Sequence, residues 1–336
     1  MDKQVYNLLN LEYEKKRNQA LFDAEGKKND IYNKYPLLLE IDEQIKLVGL
    51  SSLKGFLHNT SKADTMQIEL TLKLKELKEK RQALLSKYNI PSEAFSPIYE
   101  CAKCNDTGYL ASGKICSCYK QKLLNLAYRQ KNISLISFEN FQTFNAELYP
   151  NEVDKSKFDM EISPREHILK VKNYCLGFIE QFDSPDRKNL MFIGETGRGK
   201  TFLSSCIAKE LIDRNKTVIY QTAPRLFDLI ISYKMRFERP DNFDEQSYED
   251  LFNVDLLIID DLGAEVQSNA RLSEFFDIIN TRILSQPSKN TKTILSTNLP
   301  LEKFREYYDQ RIVSRVLGEF DIIKLFGDDI RLQKKR

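Results

Sequence analysis

Over the first 96 residues, apolar positions recur at helical spacing among Lys, Glu and Gln, and glycine is sparse, a pattern that predicts helices. The clearest run is Thr65 to Tyr88, where Leu70, Leu77 and Leu84 recur every seven residues and Met66 and Leu74 fill adjacent positions of the same stripe. That period suits a coiled-coil hairpin or a small helical bundle, and with so few heptads an ordinary amphipathic helix stays open. Breaks are expected near Tyr35-Pro36 and at Asn59 to Ala63, and the helical region ends at Asn89-Ile90-Pro91. From about Pro164 the pattern changes to short β-rich runs alternating with amphipathic helices, as in a parallel α/β sheet. Strands are expected at Asn189 to Ile193, Thr217 to Gln221, Asp255 to Asp260, Thr291 to Ser296 and near Asp321 to Phe326. The expected organisation is a helical region at 1–96, a cysteine module at 97–120, a linker at 121–163 containing the aromatic run Phe138, Phe141 and Phe144, and an α/β domain at 164–336.

Composition changes this picture in two places. With 51 Lys+Arg against 49 Asp+Glu, the formal charge of +2 gives no bulk attraction to nucleic acid, so any such contact must be a local patch. The N-terminus carries charges where a signal peptide needs an apolar core, and no run of about 18 apolar residues occurs, so a soluble cytosolic protein is expected. Four of six cysteines, Cys101, Cys104, Cys116 and Cys118, fall within 18 positions. CAKC followed by CSC offers two close thiolate pairs, the arrangement of a closed tetrahedral zinc site with a structural role; the CxC half leaves an iron-sulfur cluster as a lesser alternative. Cys175 and Cys206 sit among apolar neighbours and read as buried thiols.

The segment Gly194-Glu195-Thr196-Gly197-Arg198-Gly199-Lys200-Thr201 places GxxxxGKT directly after an apolar strand and before a helix. That is the context in which the motif grips phosphates. The glycines let the backbone N–H groups and the helix N-terminus point at the ligand, Lys200 brings a point charge to the β and γ phosphates, and the Thr201 hydroxyl is a hard oxygen for Mg2+. About 60 residues later, Leu256 to Ile259 deliver Asp260 and Asp261 to a strand's C-terminal end, where open α/β sheets bind ligands. Asp260 is the candidate magnesium partner, through water. The two motifs together predict binding of ATP or ADP with Mg2+.

On GETGRGKT, on Asp260-Asp261-Leu262-Gly263-Ala264-Glu265, on Ser296-Thr297-Asn298 and on Arg311-Ile312-Val313-Ser314-Arg315, the chain from Pro164 onward resembles the AAA+ ATPases. Within them it is similar to the bacterial helicase loaders of the DnaC and DnaI type and to the related IstB transposition helpers. The resemblance implies a P-loop ASCE sheet in order 5-1-4-3-2 and self-association, with ATP held between neighbouring subunits. It further implies that Asp261 stands where many such ATPases carry the glutamate that orients the attacking water, and that Asn298 is the polar sensor. Arg315 resembles the arginine finger offered to the next subunit's ATP, with Arg311 as the alternative, and Arg331 a second nucleotide sensor. The five residues after Arg331 leave no room for a helical lid, so a lid-less core is expected.

In this branch, single-stranded DNA is contacted between the second and third strands. The matching stretch here is Tyr233-Lys234-Met235-Arg236-Phe237-Glu238-Arg239, basic residues interleaved with aromatics, which a solvated helix face would also explain. The expected function is ATP-dependent loading of a hexameric replicative DNA helicase, docked through the helical and zinc regions. The alternatives are an IstB-like transposition helper and a nucleotide-gated adaptor with little turnover, which the shorter Asp261 keeps open. A small-molecule P-loop kinase would need a lid and an acceptor pocket, and would leave Arg311 and Arg315 unexplained.

Overall fold

A computed structural model of the chain describes residues 3–57, 63–127, 139–235 and 244–333. Two compact units emerge, Asn7–Lys114 and Ile115–Arg336, the second also including the first six residues; the division falls inside the cysteine module.

The helices α1 (Lys3–Lys34), α2 (Pro36–Leu57) and α3 (Ala63–Lys87) account for most of the first unit. α1 stops where Tyr35 precedes Pro36, since a residue before proline is pushed out of helical backbone, while Pro36 itself suits the first position of α2. α2 and α3 form an antiparallel hairpin. Tyr35 stacks on Tyr88 with centroids 4.2 Å apart, and seven residues further along α2, Asp42 pairs with Arg81 at 2.6 Å, seven residues back along α3. The seven-residue stripe lies on the packed side: Leu77 is buried, and Leu70, Leu74 and Leu84 are partly so, next to the fully buried Leu85 and Leu38. The Met66 side chain and residues 59–62 of the expected break lie outside the described residues.

The second unit is built on a five-stranded parallel sheet in the order β2-β3-β4-β1-β5, the predicted 5-1-4-3-2 arrangement. Its strands are β1 Asn189–Ile193, β2 Val218–Thr222, β3 Leu256–Leu262, β4 Lys292–Thr297 and β5 Phe320–Lys324. Alternating residues feed two cores: Met191, Ile193, Leu257, Ile259 and Leu295 face one cluster, and Leu190, Phe192, Leu256, Ile258 and Ile294 face the other. Burial on both faces explains why these strands read as continuous apolar runs. α5 (Pro164–Glu180) and α6 (Lys200–Asp213) cover one face; α7 (Ala223–Met235), α9 (Asn269–Lys289) and α11 (Gln310–Glu319) cover the other, with α8 (Glu245–Asn253) and α10 (Leu301–Tyr307) beside them. Cys175 and Cys206 are both buried in this fold, where burial raises their thiols above the ordinary range.

Residues 121–163, expected as a linker, supply part of this unit's packing. In α4 (Ser117–Ala127), the Gln121 side chain donates to the Val218 carbonyl at 2.8 Å and accepts from its N–H at 2.6 Å, filling the outer edge of β2 as a neighbouring strand would. Phe141 and Tyr149 are buried in the cluster that holds Phe178 and Phe192. Phe138 lies outside the described residues, so the aromatic run is followed only from Glu139 onward. Among the described residues, no helix is long and apolar enough to cross a membrane.

Candidate nucleotide site and cysteine cluster

The loop Gly194 to Gly199 turns from the end of β1 into α6. Gly197 and Gly199 adopt φ of +78° and +96°, and a Cβ there would sit 1.9 Å from Asp329 Oδ1 and 2.4 Å from the Tyr149 hydroxyl, so only glycine fits. The loop is braced from three directions: Gly194 N–H donates to the Thr297 carbonyl (3.3 Å), Ile330 N–H to the Gly197 carbonyl (3.0 Å) and the Tyr149 hydroxyl to the Arg198 carbonyl (3.2 Å). Gly199 is the N-cap of α6 and offers no side-chain cap, leaving the first-turn N–H groups available to an anion. Arg198 pairs with Glu195 at 2.7 Å, yet its Nη1 is buried without a hydrogen-bond partner, as a cation awaiting an anionic ligand would be.

Lys200 is 5 % exposed and uses all three ammonium protons, on the Gly194 carbonyl (2.6 Å), the Glu195 carbonyl (2.9 Å) and Asn298 Oδ1 (2.6 Å). Burial brings its pKa down to about 8; Asp260 and Asp261 oppose the fall, and Arg331 and Arg198 add to it. Asp260, at the sheet's C-terminal edge, is buried with four donors around its carboxylate: Thr201 Oγ1 (3.0 Å) and Tyr220 hydroxyl (2.8 Å) on Oδ2, and Ser296 Oγ and Asp261 N–H (3.1 Å) on Oδ1. Burial and the Asp260 charge raise the Tyr220 pKa, keeping the phenol a donor. With its lone pairs engaged, Asp260 suits a magnesium ion held through water, beside the Thr201 hydroxyl as the hard ligand. β3 slips register between Ile259 and Leu262, and within that slip Asp261 takes φ of +56°. Burial first, then the neighbouring Asp260, raises the Asp261 pKa.

One cavity of about 420 Å³ is lined by residues that include Thr196, Gly197, Gly199, Lys200, Thr201, Asp261, Asn298 and Arg331; Asp260, buried, is not in its lining. Glu139 and Phe202 also line it, and sequence reasoning missed both, along with Tyr149, Tyr220 and Ser296 around the loop and Asp260. Their only signal was position: Phe202 follows the P-loop threonine, and Ser296 stands two residues before Asn298. Gly194, Glu195 and Arg198 border an adjoining cavity that shares Asn298. Arg315 and Arg311 are not among the residues lining either cavity; both are exposed on α11, where Arg311 pairs with Asp309 at 3.1 Å and lies over the Phe276 ring at 4.8 Å. Of the basic aromatic stretch, Lys234 is paired with Glu274 and Tyr233 stacks on Tyr248 with centroids 5.9 Å apart; Arg236 to Arg239 lie outside the described residues.

The Sγ atoms of Cys101, Cys104, Cys116 and Cys118 all lie within 4.8 Å of one another. Zn–S bonds of about 2.3 Å in a tetrahedron separate sulfurs by roughly 3.8 Å, so the donor set fits a zinc ion. A local turn prepares the first pair: Asn105 and Asp106 take φ of 49° and 54°, and the Asp106 carboxylate accepts from the N–H groups of Glu100 (2.9 Å) and Cys101 (2.8 Å). The Thr107 hydroxyl donates to the Cys104 carbonyl at 2.7 Å.

Comparison with known proteins bears on this geometry. The replicative helicase loader DnaC of Escherichia coli K12 is 30 % identical over 139 residues, 41 % of this chain and 54 % of that protein. A putative insertion sequence ATP-binding protein of Sinorhizobium fredii is 26 % identical over 153 residues, 44 % of this chain and 58 % of that protein. The chain spans about half the length of these curated relatives. A crystal structure of DnaI matches 56 % of this chain and 95 % of its own at 22 % identity, with a TM-score of 0.40. The family described as IstB-like ATP binding protein matches residues 149–336, more than half the chain, and with its P-loop, paired aspartates and parallel sheet the protein belongs to that ATP-binding family.

Proposed function

We propose that the protein is an ATP-switched loader of a hexameric replicative DNA helicase. The observation that carries the reading is the braced P-loop cavity, in a chain similar over 139 residues to a replicative helicase loader. The loop N–H groups and Lys200 take the β and γ phosphates, displacing Lys200 from the carbonyls it now holds. Thr201 and Asp260 hold Mg2+, which would neutralise phosphate charge when bound. Asn298 and Asp261 orient the attacking water, and Arg331 reads the nucleotide from the cavity wall. Arg315, exposed and not in the lining of its own cavity, serves the ATP of a neighbouring copy. The cysteine cluster holds zinc, the helical region and this knuckle dock on the helicase, and single-stranded DNA is contacted near Tyr233 to Arg239.

The test is transfer of a helicase hexamer onto closed circular single-stranded DNA, read as unwinding of an annealed strand. Transfer should require this protein and ATP and should fail with Lys200→Ala. The similarity to an insertion sequence ATP-binding protein favours a second reading, a transposition helper on duplex DNA. No helicase transfer, with ATP-dependent filaments on duplex DNA, would decide for it. Helicase transfer without measurable turnover would identify the nucleotide-gated adaptor.

A further inference from the structure

The loop from Leu262 to Ser268 leaves the carboxylate end of β3 and is clamped on two sides. Toward β4, the Thr297 hydroxyl donates to the Leu262 carbonyl at 2.7 Å, and Gly263 passes so close that a Cβ would sit 2.5 Å from Leu299 Cδ1. Asn298, at the cavity wall, lies between those two contacts in sequence. On the other side, Glu265 reaches the end of α10. Glu265 is 6 % exposed; its Oε2 accepts from the Gly263 N–H at 2.8 Å and its Oε1 from the Tyr308 hydroxyl at 2.5 Å. The Tyr307 hydroxyl donates to the Glu265 carbonyl at 2.8 Å, and Gln267 Nε2 donates to the Tyr307 carbonyl at 2.5 Å.

Tyr308 immediately precedes Asp309, the N-cap of α11, whose side chain accepts from the Arg311 N–H at 2.7 Å. Below that cap α11 buries Ile312, Val313 and Val316 and presents Arg311 and Arg315 to solvent. The Tyr308 ring packs on Phe304 and Phe275 with centroids 4.6 and 5.4 Å away, so the hydroxyl has little freedom. A buried carboxylate is costly unless its lone pairs are filled, so Glu265 cannot release either donor cheaply. A shift of the backbone at Asp261 to Gly263 must therefore move Tyr308 or break the contact. One carboxylate thus joins the loop behind the paired aspartates to the root of the arginine helix.

We propose that Glu265 and Tyr308 are a positioning pair that sets Arg315 against the ATP of a neighbouring copy in step with the state of the pair's own nucleotide site. This rests on the reading of Arg315 as acting between subunits, and the test separates the two. Asp261→Asn chains still hold ATP but cannot orient the attacking water in their own site, and can donate Arg315; Arg315→Ala chains keep their site but cannot donate. Mixed, they should hydrolyse ATP well above either alone, and failure to do so would remove the reading on which the pair depends. Tyr308→Phe keeps the packed ring and loses the hydroxyl. Added to the donor, it should cut the stimulation on the order of tenfold to a hundredfold, as misplacement of a reacting group by about 1 Å does. Added to the acceptor instead, it should leave stimulation and fluorescent-nucleotide affinity within about twofold of the parent, a level at which RT ln 2 is about 0.4 kcal/mol. Full stimulation by the Tyr308→Phe donor, or equal loss in the acceptor, would overturn the proposal; the second result would assign the pair to its own site.

Discussion

The nucleotide cavity and the cysteine cluster are both prepared ion sites, but they are prepared on different scales. Lys200 and Asn298 lie 98 residues apart in sequence, and Tyr220 supports Asp260 from 40 residues away, so the nucleotide site exists only once β1 to β4 have assembled. The cysteine set falls within 18 positions, and the Asp106 turn that aims its first pair spans the seven residues from Glu100 to Asp106. The first site borrows its order from the sheet, whereas the second is set by turns local to the cysteines. Perturbations should therefore separate them cleanly.

The largest effect is expected from Cys104→Ser, which removes one of four ligands from a closed site whose zinc binding is worth about 10–16 kcal/mol in small zinc modules. Elemental analysis should find about one zinc per wild-type chain and none in the variant. Limited proteolysis should then cut within residues 97–120, with ATP affinity unchanged. Next comes Lys200→Ala. Losing charge-assisted bonds of about 1.5–3 kcal/mol each should weaken ATP at least roughly a hundredfold in a fluorescence titration, with zinc content intact. Tyr220→Phe removes one donor from the buried Asp260 and should lower kcat roughly tenfold in a steady-state assay across magnesium concentrations. Rates unchanged at every magnesium concentration would show that Tyr220 does not support the carboxylate. The smallest effect is expected from Asp106→Asn, which keeps an acceptor for Cys101 N–H but loses charge. Zinc affinity, measured by competition with a chromogenic chelator, should fall about tenfold.

The same contrast explains what the sequence allowed to be read. The strands to within about two residues and the P-loop were legible because each leaves a local pattern: an apolar run, a glycine spacing, a pair of aspartates; the sheet order followed only from the resemblance to the AAA+ ATPases. The β3 strand was read as ending at Asp260, but it continues to Leu262 through a register slip. A run of polar and apolar residues does not announce that slip. Tyr220, Tyr149 and Glu139 were illegible for the same reason that they matter, since each reaches the site across the fold rather than along the chain. Gln121 gave no sign that an amide would stand in for a strand at the edge of β2. The stretch at 121–163 looked like a connector because Phe141 and Tyr149 bury themselves without any helical or strand period around them.

The helical unit differs again. Its hairpin buries Leu38, Leu77 and Leu85, while Leu8, Phe22, Leu47 and Leu72 stand 67, 74, 65 and 63 % exposed. Scattered apolar residues are ordinary on a surface, and in a docking region they are also the material of an interface. The measurement that bears most directly on the loader reading is co-elution, with light scattering, of the protein and its host's replicative helicase in ATP, in ADP and with Lys200→Ala. A nucleotide-sensitive complex near the mass of a helicase hexamer plus bound loaders is the predicted result; no complex under any of the three conditions would contradict it.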